Sequence, residues 1–327
     1  MPLVSILIPT YNRLQLLSRV LSACIEQAAS FRESVEIVVV DNCAKGSAES
    51  LVTELSRTSP TFIRYVHEPR TGLAIVRNTA LRSAHGKYVI FLDDDQLPLP
   101  GWLCAFMDAA ERGVKAAFGP LEPLFEEPPT RSLHILTKIF SRAIPANDGD
   151  EIGRLYPYLG TGNSLFDKFH CFPDQESFDV RFNLFGGEDV WMLKGLRARN
   201  IPFSWVAEAK VLEFVPKVRM TFSYLNRRRF KSGQLRVLLS LHPAQRRPVA
   251  VLFWMGAGAA QAALNFSLSL LAWLFWRERM HDFRIKASGG IGKVFWFFSS
   301  PGVQLNRRGL ETLVSGKPRE RAAGRHG

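Results

Sequence analysis

Tyr88-Val89-Ile90-Phe91-Leu92 is a short, unbroken apolar run that leads directly into three consecutive carboxylates, Asp93-Asp94-Asp95, and is stopped by Pro98, Pro100 and Gly101. A strand with no polar alternation is buried on both faces, as in a parallel sheet covered by helices. In such sheets ligands bind outside the carboxyl ends of the strands, so the acids stand where a ligand would. Three adjacent negative charges repel one another unless a cation compensates them. Mg²⁺ or Mn²⁺ suits the position, because these hard cations bind through one or two carboxylates and keep sites open for phosphate oxygens. A solvated acidic turn is the plain alternative, and the buried strand before the acids favours the metal.

The preceding chain repeats the pattern. Val4-Ser5-Ile6-Leu7-Ile8, Val35 to Val40 and Phe62 to Val66 read as strands. Helices are predicted from Leu14 through Ile25, around Leu51 to Leu55, and from Leu73 to Ala84. This β-α alternation predicts an α/β fold with a mostly parallel central sheet. Polar clusters close three of the strands, at Thr10 to Arg13, at Asp41-Asn42 and at Asp93 to Asp95, and a doubly wound sheet brings them to one edge. Helix capping explains some of these residues singly but not all three clusters together. No GxGxxG or GxxxxGK[ST] stretch follows a strand, which argues against dinucleotide and P-loop sites.

Taken in order, Ile6-Leu7-Ile8-Pro9-Thr10-Tyr11-Asn12-Arg13, Val39-Val40-Asp41-Asn42, Gly72-Leu73-Ala74-Ile75-Val76-Arg77-Asn78 and Phe91 to Asp95 resemble the motifs of family 2 glycosyltransferases of the bacterial exopolysaccharide and surface-glycan type. The likeness continues through Gly160-Thr161-Gly162-Asn163 and Phe185-Gly186-Gly187-Glu188-Asp189, about two-thirds of the chain. The resemblance implies a GT-A (nucleotide-diphospho-sugar transferase) fold and inverting sugar transfer. It would place Pro9, Thr10, Tyr11 and Arg13 along the nucleotide pocket, Asp41 on the base, and Gly72 and Arg77 near the nucleotide. Asp93 and Asp94 would contact the ribose side, with Asp95 as the direct metal ligand beside Asp93. Gly162, Asn163 and Gly187 would face the sugar or acceptor. Asp189 would be the general base and Glu188 its neighbour, in contact with the acceptor.

The chemistry supports these assignments. A diphosphate leaving group needs its charge neutralised, and an attacking hydroxyl needs a base on the opposite side of the sugar. Acids in a first helical turn also simply suit the helix dipole. One position departs from the family pattern, since Glu213 stands about where many relatives carry a histidine near the metal. It reads equally as a ligand or as a salt-bridged strand acid.

Charge divides the chain. The net charge is +12, made of −3 over residues 1–206, +8 over 207–248, zero over 249–276 and +7 over 277–327. Residues 249–276 hold 28 positions without a formal charge, enough to span a bilayer, with Trp254, Trp273 and Trp276 suited to its interfaces. Gln261 and Asn265 interrupt this stretch, and basic residues flank both ends. That conflicts with a single span under the positive-inside rule and favours a re-entrant hairpin or an in-plane amphipathic pair. Packing on the catalytic domain or on a second copy is the soluble alternative. The basic run Arg227-Arg228-Arg229-Phe230-Lys231 is read as a membrane-surface element before a diphosphate contact.

The expected domains are a catalytic domain at 1–223, a basic and apolar membrane-associating helical region at 224–300, and a flexible basic tail at 301–327. Four scattered cysteines and an amino terminus leading straight into a strand fit a reducing compartment with no leader. The reading is a metal-assisted transferase at the cytoplasmic face of the cell membrane. It would move a sugar from a UDP-linked donor to a lipid-linked or growing glycan acceptor, with an anionic membrane surface and no nucleic acid as partner. A non-catalytic nucleotide-sugar-binding adaptor and a nucleotidyltransferase are the alternatives, and the oligomeric state is left open.

Overall fold

The computed structural model describes residues 3–298 apart from 30, 32–33, 130–132, 175–176 and 184. The tail assigned to 301–327 lies outside the described residues. The front of the chain alternates as its periodicity predicts: β1 (Val4–Thr10), α1 (Leu14–Ala29), β2 (Val35–Asp41), α2 (Glu49–Thr58), β3 (Phe62–His67), α3 (Leu73–Ser83) and β4 (Tyr88–Phe91). There follow β5 (Gln96–Pro98), α4 (Trp102–Glu111), β6 (Ala116–Phe118), β7 (Leu121–Phe125), α5 (Leu133–Phe140), β8 (Ser164–Asp167), α6 (Lys168–Cys171), α7 (Glu188–Ala198), β9 (Phe203–Trp205) and β10 (Val211–Val215). The chain then turns helical, with α8 (Phe222–Leu238), α9 (Pro248–Phe275) and α10 (Arg277–Val294).

Seven strands form one sheet in the order β3-β2-β1-β4-β8-β6-β9. The pairs of β1 with β2, β1 with β4, β2 with β3 and β6 with β9 are parallel, and β8 runs antiparallel to both neighbours. Successive strand residues point to opposite faces, and both faces are covered. Ile6, Ile8, Ile37, Val39 and Ile90 pack under α1 and α4. Leu7, Val38, Val40, Val89 and Phe91 pack under α3 and α7. Phe91 is ringed edge-on by Phe166, Phe172 and Phe178 at 5.5–6.3 Å, which ties the strand that ends in the acids to the segment leading to α7.

A second sheet, β5-β10-β7, lies just past the acids. Its antiparallel register pairs Glu213 with Gln96, so β10 delivers Glu213 beside the acidic turn. α8 begins at Phe222 and runs across the predicted boundary at 223/224 without a break.

α10 lies between α8 and α9. Its glycines set the spacing: an added Cβ at Gly290 would meet Gly258 O at 2.6 Å, and one at Gly292 would meet Phe230 O at 2.0 Å. Gly258 against Gly290, the Gln261 to Lys286 O bond and the Arg284 to Ser269 bond show α9 and α10 running antiparallel. Gln261, one of the two polar positions that interrupt the uncharged stretch, therefore faces α10. Gln261 bonds Lys286 and Lys293, while Val249, Leu252, Phe253, Leu264, Leu271 and Leu274 on the other side are exposed.

Candidate active site

Parallel pairing brings the ends of β2, β1 and β4 to one sheet edge, with Thr10 opposite Asp41 in register. Of the three acids after β4, Asp94 and Asp95 are held by one hydroxyl and two arginines. Thr10 donates to Asp94 at 2.9 Å, and Arg13 reaches Asp94 at 2.8 Å and Asp95 at 3.0 Å. Arg219, from the segment after β10, donates to the same Asp95 oxygen at 3.1 Å. These three carboxylates line a cleft of about 430 Å³ together with Pro9, Thr10, Tyr11, Arg13, Asn42, Gly72, Arg77, Asn183 and Glu213.

A second chamber of about 500 Å³ opens from that cleft and shares Arg77, Asp93 and Glu213 with it. Asp189 lines this chamber at the first turn of α7. Gly160 and Gly162 run between the two acids. A Cβ at Gly162 would come within 2.6 Å of Asp93 Oδ2, and one at Gly160 within 3.2 Å of Asp189 Oδ2. The acids at the end of β4 and the acid at the start of α7, far apart along the chain, thus flank one glycine-lined passage.

Arg77 joins the two sides. It is buried, donates to Glu188, and lies 3.5 Å from Asp93. Burial opposes its charge, and Glu188, Asp93 and Asp189 outweigh that opposition. Burial pushes the Glu188 carboxyl upward against the pull of Arg77, and its Oε2 has no hydrogen-bond partner. Asp189 is likewise pushed upward by burial. Asp95 is pushed to about 6 by burial and by Asp93, with Arg219 pulling the other way. Burial, with Asp95 and Asp93, pushes Glu213 to about 7. Among the described residues Glu213 makes no ion pair within 4 Å, which does not bear out the salt-bridged strand acid.

Some expected site residues do not reach the cavity walls. Asp41 is fully buried, and its two oxygens accept from Cys43 N and Ala48 N, closing the loop after β2; its neighbour Asn42 lines the cleft instead. Glu188 points away from the chamber into its pair with Arg77. The Asn163 side chain is consumed by bonds with Trp102, Pro120 O and Ala209 O, whereas Gly162 and Gly187 do line the chamber. The basic run is not a purely outward surface either, since Arg228, Arg229 and Arg236 wall the chamber.

Two contributors, Asn183 and Arg142, are not read from the sequence, and Asn42 is read there only as part of the polar cluster that closes β2. Asn42 accepts from Gly72 N at 3.0 Å, and Asn183 accepts from Ala74 N at 3.0 Å, capping α3. Gly72, at φ +152, leaves room for Asn183, which an added Cβ would strike at 2.4 Å. Arg142 is buried and donates to the carbonyls of Gly119, Gly160, Gly162 and Asn163, which fixes the glycine passage. Burial lowers Arg142 to about 10, so it stays charged at neutral pH. A lone arginine after a helix carries no sequence signal, and neither does an asparagine that caps a helix about a hundred positions away.

Comparison with known proteins agrees with this geometry. The model of glycosyl transferase family 2 matches residues 5–171, more than half of the 327 residues. The succinoglycan biosynthesis protein ExoM of Rhizobium meliloti is 31% identical over 204 residues, covering 62% of this chain and 64% of that protein. The GalNAc(5)-diNAcBac-PP-undecaprenol beta-1,3-glucosyltransferase of Campylobacter jejuni is 31% identical over 120 residues, covering 36% of this chain and 38% of that protein. The match thus spans less than two thirds of either relative. Among solved structures, the mannosyltransferase PcManGT from Pyrobaculum calidifontis, in complex with GDP-Man and Mn²⁺, superposes with a TM-score of 0.58 at 21% identity, covering 91% of this chain and 88% of that one. TarS 1-349 of S. aureus, in complex with UDP, gives 0.51 at 16% identity, covering 89% of each. At these identities the likeness shows the fold, which is GT-A.

Proposed function

We propose that this chain, which belongs to glycosyl transferase family 2, transfers a sugar with inversion from a nucleotide-diphosphate donor to an acceptor hydroxyl. The observation that carries the reading is the passage in which Asp93 and Asp189 lie against opposite ends of Gly160-Thr161-Gly162. The cleft at Pro9 to Arg13 takes the nucleotide, and UDP, the nucleotide in the TarS complex, is the one we assign. Asp189 accepts the proton of the attacking hydroxyl, and its upward shift brings it towards the pH at which a base works best. Arg77 keeps Asp93 and Glu188 in place, and Arg142 holds the backbone against which the sugar lies.

A divalent cation fits the donor side. Asp93, Asp95 and Glu213 crowd together, and burial first, then repulsion among these acids, pushes Asp95 and Glu213 upward. Among the described residues no three His, Cys, Asp or Glu side chains form a metal cage. Two carboxylates with positions left for phosphate oxygens is a Mg²⁺ or Mn²⁺ arrangement. Asp95 and Asp93 would hold the ion, which would neutralise the diphosphate as it leaves.

The exposed apolar face of α9 suits an in-plane position on the membrane, because its opposite face is committed to the charged helix α10. The acceptor is then a glycan or lipid-linked glycan at that surface. The test is UDP release from a panel of UDP-sugars by the purified chain with Mn²⁺. Asp189→Asn should lower turnover at least about 100-fold while UDP still binds. Full turnover in that variant removes Asp189 as the base, and absence of UDP binding by the wild type removes the reading as a whole.

A further inference from the structure

Three cavities follow one another through the molecule. The donor cleft and the central chamber share Arg77, Asp93 and Glu213. The central chamber shares Gly187, Arg228, Ser232 and Leu235 with a third groove of about 390 Å³, between the Phe185–Gly187 turn and α8. The first and third have no lining residue in common, so the chamber separates them.

The third groove is walled by Arg227, Arg228 and Lys231, with Tyr224, Phe185 and Leu235 supplying apolar surface. Among the described residues none of the three cations has a carboxylate within 4 Å, in contrast to Arg13, Arg77 and Arg219 on the donor side. Arg228 instead donates to Ile139 O and stacks on Phe140 at 4.8 Å. Lys231 is held below the ordinary lysine range by burial and by its like-charged neighbour Arg227. Like charges gathered in a groove without a counter-charge form a site for a polyanion. The turn opposite is packed rather than loose, since a Cβ at Gly187 would meet Leu235 at 2.7 Å.

We propose that this groove binds a phosphate or diphosphate carried by the acceptor. The assignment rests on the function proposed above and sharpens it. The donor's own diphosphate belongs with Asp93 to Asp95, whereas this groove opens on the Asp189 side, from which an attacking hydroxyl must come when configuration is inverted. The acceptor is then a glycan attached through phosphate to a carrier. Its anion sits among Arg227, Arg228 and Lys231 and its hydroxyl reaches Asp189 through the shared wall at Gly187 and Arg228.

The experiment titrates inorganic pyrophosphate into the full chain saturated with UDP, by calorimetry, for the wild type and for Arg227→Gln/Lys231→Gln. The expected result is pyrophosphate binding by the wild type that weakens at least tenfold in the double variant, at unchanged UDP affinity. Equal pyrophosphate affinity in the two proteins, or none in the UDP-saturated wild type, overturns the proposal. Failure of the wild type to bind UDP would instead undo the nucleotide-sugar reading. Binding to phosphatidylglycerol vesicles, which carry headgroup phosphate but no diphosphate, should be the same for both proteins. If the double variant loses vesicle binding as it loses pyrophosphate, the cations serve the bilayer and the acceptor assignment falls.

Discussion

The donor cleft and the basic groove carry opposite imbalances. In the cleft, Asp93, Asp94, Asp95 and Glu213 face Arg13, Arg77 and Arg219, and burial, followed by repulsion among the acids, pushes Asp95 and Glu213 to about 6 and about 7. In the groove, Arg227, Arg228 and Lys231 have no carboxylate within 4 Å among the described residues, and Arg228 acts on Glu213 across the central chamber. Each end lacks the charge that its proposed ligand would bring, a cation with the diphosphate at one and a phosphorylated acceptor at the other. Isolated buried charge is destabilising, so such asymmetry marks where ligands complete the structure. The difference between the ends can be broken at the residue that joins them or sharpened at either side.

The largest effect belongs to the junction. Arg77→Met leaves Glu188 buried with no partner and frees Asp93, so it should destabilise the fold by about 3–5 kcal/mol and abolish transfer. Urea unfolding measures the first quantity. Adding Glu188→Gln to Arg77→Met should recover much of the stability but not the activity. Recovery of both would mean that Arg77 only balances Glu188.

Acid should strain the acceptor side next. His242 stacks on Trp191 of α7 at 4.5 Å, accepts from Ala244 N, and lies near Lys194. Burial, then Lys194, lowers it to about 4. Between an ordinary histidine value of about 6.5 and 4, the unfolded chain binds a proton that the folded chain refuses, so stability falls as pH falls through that window, by roughly 3 kcal/mol. His242→Gln should flatten this part of the stability profile. An unchanged profile would show that His242 is not a source of the acid sensitivity.

Arg142 allows a cut on the chamber side alone. Arg142→Met removes the donor to four carbonyls around the glycine passage, and kcat should fall about 100-fold, as for the loss of a preorganised positioning group. UDP affinity should stay within about twofold. A matching loss of UDP affinity would mean that the passage also shapes the donor cleft.

How far the sequence discloses this arrangement depends on the range of each interaction. β1, β2 and β4 were legible because each is a continuous apolar run with a polar end, a local pattern. The antiparallel direction of β8 was not, since it is set by pairing with β4 and β6, which no local pattern marks. Asp93 and Asp189 were marked by their neighbours in sequence. Arg142 and Asn183 act through partners 18–23 and 108–109 positions away, and nothing adjacent marks them. The basic run was legible as charge, but whether it faces lipid or the chamber depends on how α8 is rotated against the 185–187 turn, which only tertiary packing fixes.

The smallest expected effect makes the sharpest comparison. Arg13 is partly exposed, and its ion pairs among the described residues are with the donor acids, at 2.8 Å to Asp94 and 3.0 Å to Asp95. Asp95 keeps Arg219, and Asp94 keeps Thr10, when Arg13 is lost. Arg13→Gln should therefore weaken UDP by only about tenfold, near the lower end of what a hydrogen bond to a charged group contributes. Pyrophosphate binding in the basic groove should not change, because the chamber stands between the two. If one substitution lowers both affinities together, the two ends form one electrostatic site, and a separate place for the acceptor's phosphate can no longer be drawn from the geometry.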